Sequence, residues 1–155
     1  MTFLLDVSDS RELNQQFEAY QSYLRSVEGK LETNAFAFAS ALWHYDAQDP
    51  RCPHDSWIES IKVVENATGD RHQHRWIDIH VRLLGAYHDG HIELTYTNVR
   101  SYSLGASDVG GHGDWLRDEI RLSDEGLALH EVRFASGSRW SIECRDIQYD
   151  WVVLT

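Results

Sequence analysis

The hydrophobic positions near the start of the chain recur in alternating four- and three-residue steps: Leu13, Phe17, Tyr20, Leu24, Val27 and Leu31. That spacing lays one apolar stripe along an amphipathic helix. Asp9 with Glu12 three residues on is an acidic variant of the capping box, and Gly29 suits the helix end. From residue 34 the period changes. In NAFAFASALWHYD, Phe36, Phe38 and Leu42 share one parity and Ala35, Ala37, Ala39 and Ala41 the other, which predicts a strand packed closely on its alanine side. Alanine also keeps a helix open there. Trp57, Ile61 and Val63 then alternate with Ser60 and Lys62, and Ile77, Ile79, Val81 and Leu83 alternate with Trp76, Asp78, His80 and Arg82.

Turn chemistry predicts register. Asp89-Gly90 as a two-residue tip sets Leu83 opposite Tyr96, Tyr87 opposite Ile92 and His88 opposite His91. A slip by one residue would put the apolar sets on opposite faces. Asp124-Glu125-Gly126 suits a three-residue hairpin loop, setting Ile120 opposite His130 and Leu116 opposite Phe134. Ser136-Gly137-Ser138 as a second such loop sets Phe134, Val132 and His130 opposite Trp140, Ile142 and Cys144. After Cys144 the apolar parity moves to Ile147, Tyr149, Trp151 and Val153, which calls for a bulge or corner near Arg145-Asp146. The predicted architecture is a single α+β domain over residues 1–155. It has one N-terminal helix followed by roughly eight antiparallel strands, in a strongly bent sheet or two packed sheets.

Charge narrows the functional classes. Lys and Arg total 14 against 25 Asp and Glu, a formal charge of −11. Nucleic-acid binding depends on cationic side chains neutralising phosphates, so that class is disfavoured. An acidic surface favours a basic protein partner. The apolar runs are too short to span a bilayer, and MTFLLDVSDSRE lacks the basic start of a secretory signal, so the expected location is the cytoplasm with no membrane association. Cys52 and Cys144 are then expected as free thiols.

Three groups of residues could carry chemistry. HYDAQDPRCPHDSW, residues 44–57, holds both prolines, and His44, Cys52 and His54 in it are the candidate metal ligands. No recognised metal spacing accompanies them, so the expectation is a rigid loop without an ion. Its aspartates would make local turn bonds, and Trp43, Tyr45 and Trp57 would anchor it. The histidine pairs His72/His74 and His88/His91 could each offer two ligand positions but lack a close third. The predicted register places Asp118, His130 and Cys144 on one face, His130 in the middle, the order of a nucleophile, base and orienting acid. Their apolar neighbours favour a structural Asp-His pair beside an inert cysteine. GGHGDW could cradle an anion through backbone amides, but Asp114 opposes one, so a loop that fixes Trp115 is the preferred reading. The candidate partner-binding carboxylates are Asp46, Asp49 and Asp55 in the proline loop, with Asp108 and Asp114 in the glycine-rich loop.

The stretch GHGDWLRDEIRLSDEGLALHEVRFASGSRWSIECRDIQY resembles small bacterial domains that include immunity proteins of polymorphic-toxin systems, where an HEI-F-sG--I-I---DI-Y pattern recurs. The resemblance covers about a quarter of the chain and carries a sheet-forming pattern, with no catalytic residue to transfer. It implies a non-catalytic cytoplasmic domain, without a cofactor, that binds and neutralises a toxin. The alternative reading of the same chain is a small metal-dependent or cysteine-based enzyme.

Overall fold

A computed structural model describes residues 1–106 and 110–155. It is α+β. Helices α1 (Ser10–Ser26) and α2 (Thr33–Ser40) and a short 3-10 turn (Leu42–Tyr45) precede six strands. These are β1 (Trp57–Thr68), β2 (His74–Leu84), β3 (Gly90–Leu104), β4 (Trp115–Leu122), β5 (Ala128–Phe134) and β6 (Arg139–Val153). All pair antiparallel in one sheet of order β1-β2-β3-β6-β5-β4. Among the described residues the sheet has six strands rather than about eight, and a second helix stands where the alternating alanines predicted a strand.

Helix α1 begins as its sequence requires, the Asp9 carboxylate accepting from the Glu12 amide at 2.8 Å. Helix α2 shows why alternation misled. Ala35, Phe38 and Ala39, spaced for one helical face, are its buried residues. Its start has no cap from its own sequence. Asp146 on β6 supplies one instead, accepting from the Ala35 amide at 2.8 Å and the Asn34 side chain at 3.0 Å. A tertiary partner more than a hundred residues away decided helix over strand.

The β2–β3 hairpin keeps its predicted faces but not its predicted tip. Leu83 pairs with Ile92 and Ile79 with Tyr96, an even offset from the expected register, so Ile79, Val81, Leu83, Ile92, Leu94 and Tyr96 still share the buried face. The turn opens earlier, where Gly85 donates to the Gly90 carbonyl at 2.9 Å. The Trp151 indole causes this: it lies across both glycines, and a Cβ on Gly90 would come within 2.3 Å of it. Tyr87 and His88 therefore sit in the loop, not opposite Ile92 and His91.

At the C-terminal hairpins the two loops obey one rule. In Asp124-Glu125-Gly126, glycine takes the third position with φ 77°, and Ile120 pairs with His130 as expected. The other loop is Ala135-Ser136-Gly137, again with glycine third and left-handed at φ 93°. Centring it on Gly137 was the error, and the correct frame pairs Val132 with Trp140, His130 with Ile142 and Ala128 with Cys144. A bulge between Trp115 and Arg117 sets Trp115, not Leu116, opposite Phe134. The expected change of parity after Cys144 is present. β3 changes with it, from Tyr96 to Val99 around left-handed Asn98 (φ 49°), so the two central strands turn together.

β4 is an edge strand, and its free side is covered. The Tyr20 hydroxyl accepts from the Ile120 amide and donates to the Ile120 carbonyl, both at 2.8 Å. The Leu122 amide donates to the Tyr23 hydroxyl at 2.8 Å, and Trp115 exchanges backbone bonds with Asp55 and Ser56. On β4's other face the buried Glu119 carboxylate accepts from the amides of Phe3, Leu4 and Leu5 at 3.3 Å or less, docking the N-terminal segment. Among the described residues no helix is long and apolar enough to cross a membrane.

Tyr20→Phe removes both bonds to Ile120 and leaves a buried amide and carbonyl without partners. Chemical denaturation should show a loss of about 2–4 kcal/mol, against about 1 kcal/mol for Tyr23→Phe.

Candidate functional site

Asp118 sits on β4 beyond the bulge, which puts it on the same face as Trp115 three residues earlier. The indole N–H of Trp115 donates to its Oδ1 at 3.1 Å. Its Oδ2 takes two imidazoles: His44 Nε2 at 2.7 Å from the 3-10 turn and His130 Nε2 at 2.8 Å from β5. His130 Nδ1 lies 2.8 Å from the Tyr96 hydroxyl, and His44 Nδ1 lies 2.7 Å from the Phe38 carbonyl. All four members, His44, Asp118, His130 and Tyr96, are buried.

These partners assign the protons. A carbonyl only accepts, so His44 donates from Nδ1; an ionised carboxylate only accepts, so His44 donates from Nε2 as well. His44 is therefore an imidazolium. It is sandwiched between two aromatic faces, with ring centroids 4.1 Å from Phe38 and 4.2 Å from Tyr45 and nearly parallel planes. Such stacking suits a cation. One carboxylate balances one cation, and a second would be uncompensated, so His130 is neutral, donating to Asp118 and accepting from Tyr96. Burial opposes the charge on Asp118. The charge of His44 and hydrogen bonds from both histidines outweigh burial and hold its carboxyl well below the usual range. Burial, with Cys144 and Asp118 nearby, pushes the Tyr96 hydroxyl well above its ordinary value.

A cavity of about 310 Å³ between α1 and the proline loop reaches this network, lined in part by Leu13, Phe17, Cys52, His54, Trp115 and Asp118.

The expected Asp118–His130 contact is present. Cys144 does not complete a triad. It lies farther along β6, opposite Ala128 and Val99, and its thiol donates to the Asp146 carbonyl at 3.3 Å. Burial, reinforced by Asp146 and Glu143, pushes that thiol up to about 12. The candidate metal ligands do not converge either. Both ring nitrogens of His44 are committed, the Cys52 thiol donates to the His44 carbonyl at 3.0 Å, and His54 Nδ1 donates to the Leu116 carbonyl at 2.9 Å. Cys52 is likewise raised to about 12, by burial first. Among the described residues no three His, Cys, Asp or Glu side chains form a metal-binding group. His72 lies in the turn before β2 rather than beside His74 on a strand, and His91 is bound to Glu59 at 2.9 Å.

The aspartates of the proline loop make the expected local turn bonds. Asp46 accepts from the Gln48 amide and Asp49 from the Arg51 amide, each at 3.0 Å. Of its expected anchors, Trp43 and Tyr45 pack against the core and Trp57 does not. Trp43 packs on Tyr149 at 4.5 Å and is only half-buried, and Trp57 is exposed. Asp49 is bound to Arg51, which holds its carboxyl below the ordinary range. Asp46, Asp55 and Asp114 are exposed, and Asp108 lies outside the described residues. In GGHGDW the His112 carbonyl accepts from the Ser136 and Ser138 hydroxyls. The Asp114 carbonyl accepts from the Ala135 amide at 2.8 Å and the Trp115 amide donates to the Ser56 carbonyl at 3.1 Å, so the loop's end holds Trp115 in place.

His44, Tyr96 and Trp115 were not foreseen as partners of Asp118. One signal pointed that way: a single neutral histidine cannot satisfy a buried carboxylate. The fold and site define an α+β antiparallel-sheet domain with a buried histidine–aspartate–histidine–tyrosine network. No family model, curated protein or solved structure matches the chain.

Asp118→Asn leaves the His44 cation unpaired and should cost about 3–5 kcal/mol by denaturant titration. Because the folded carboxyl lies below its unfolded value of ~3.9, its contribution is fully present above about pH 4 and fades as pH falls. The stability gap between wild type and Asp118→Asn should therefore narrow in acid; a gap that widens below pH 4 contradicts the pairing. In the native protein, neither cysteine should react with iodoacetamide faster than the chain unfolds.

Proposed function

We propose that this chain is a non-catalytic, cytoplasmic protein-binding domain of the immunity type, which neutralises a toxin by holding a basic surface of it. One contrast carries the reading. The groups with reactive chemistry are committed to one another inside, while Asp46, Asp55 and Asp114 stand exposed on a chain of charge −11. A fixed, screened field of this kind raises association rates with a cationic partner. The cysteine-based alternative has one observation of its own, the cavity that reaches both Cys52 and Asp118. It requires Cys52 to become reactive, against the burial that raises its thiol.

Co-expression with the product of an adjacent toxin-like reading frame tests the proposal. Protection of growth should require about one copy of this chain per toxin, and protection at far lower ratios would indicate turnover. Replacing Asp46, Asp49 and Asp55 together with asparagine should slow association and flatten its salt dependence. Unchanged kinetics at low and high salt would remove the proline loop from the interface.

A further inference from the structure

At one end of the sheet the start of β1, the β2–β3 loop and the end of β6 come together. Trp57 is 49% exposed there, Tyr87 55%, Val153 63% and Leu154 45%. They form one surface. The Trp57 ring lies 4.9 Å from His88, and the Leu154 amide donates to the Asp89 carbonyl at 2.9 Å. The Tyr87 hydroxyl donates to the Ala47 carbonyl at 2.9 Å, tying the patch to the proline loop. This end is also preformed, because Trp151 lies across Gly85 and Gly90 and sets the loop's shape. Scattered exposed apolar residues need no explanation, but a contiguous group fixed in place marks a contact surface. Trp and Tyr are the residue types that most often anchor one.

Carboxylates outnumber cations around the patch, where Arg82, two residues from Trp57's partner Leu84, is held by Glu59 at 3.4 Å. Asp46 precedes the carbonyl that holds Tyr87, Asp55 lies two residues before Trp57, and Asp89 sits in the loop itself. Segments 55–58, 85–90 and 152–155 contain no Lys or Arg. We propose that this end of the sheet is the docking surface for a protein partner that presents an apolar centre ringed by Lys and Arg. The proposal rests on the binding reading above and gives it a location. A second copy of the chain fits poorly, since a two-fold contact would set these same carboxylates against one another.

The test is a titration of the ¹⁵N-labelled protein, followed by amide shifts, with three short peptides alternating lysine with leucine, lysine with serine, or glutamate with leucine. The lysine–leucine peptide should saturably shift residues 55–58, 85–89 and 152–154, and the other two should bind at least about tenfold more weakly. Trp57→Ser, an exposed position whose replacement leaves the core intact, should lower the affinity about tenfold. Asp55→Lys with Asp89→Lys should lower it similarly. Saturable shifts on a different surface overturn the location and leave the binding reading standing. Preference for the glutamate–leucine peptide, or binding by none of the three, overturns the proposal and its charge argument together. Dilution-dependent shifts of the same residues without peptide identify self-association and also overturn it.

Discussion

A carboxylate with both oxygens inside a protein must be given donors and a counter-charge, or the fold cannot keep it. Asp118 is given both by groups from separate parts of the chain: His44 from the turn after α2, Trp115 from across its own bulge, and His130 from β5. His130 passes the connection on to Tyr96 on β3. The network thus fastens the edge strand, the middle of the sheet and the helical layer to one point. Its geometry also accounts for local features that look unrelated. The bulge at Leu116 brings Trp115 and Asp118 onto one face, and the flat stack of Phe38, His44 and Tyr45 surrounds the cation that balances the carboxylate.

The same economy governs the edge of β4. Tyr20 and Tyr23 place hydroxyls where a neighbouring strand would have placed amides and carbonyls, so α1 closes the edge while burying its apolar stripe. His44, His130, Asp118, Cys52 and Cys144, the groups that suggested catalysis or metal binding, are each hydrogen-bonded within the fold. Exposed carboxylates of the proline loop stand beside the apolar patch where the start of β1 meets the β2–β3 loop. That division is the observation on which the proposed binding role rests.

Local rules were legible in the sequence wherever local forces decide. The stripe of α1, its Asp9 cap, the Asp124-Glu125-Gly126 loop and the alternating faces of β2 and β3 all follow from periodicity and turn chemistry. The second three-residue loop was legible too, once glycine is required at its third position. Other features depended on distant partners. Asp146 caps α2, and Trp151 covers Gly85 and Gly90 and moves the hairpin tip. Parity survived both register offsets because each was even, and Asp118 and His130 could be placed on one face because the β4–β5 register came out as read. Cys144 then fell two residues out of reach. His44 stayed hidden because no periodicity links a 3-10 turn to a strand more than seventy residues later.

The central claim is that Asp118 is held ionised by a doubly protonated His44 and a neutral His130, a fixed structural charge pair rather than a proton-transfer chain. Ring-nitrogen NMR of the native protein, with His44 and His130 assigned through single replacements, tests it most directly. The account predicts two protonated nitrogens on His44, and on His130 a protonated Nε2 with a hydrogen-bonded, unprotonated Nδ1. A neutral His44, or two protonated nitrogens on His130, would contradict it.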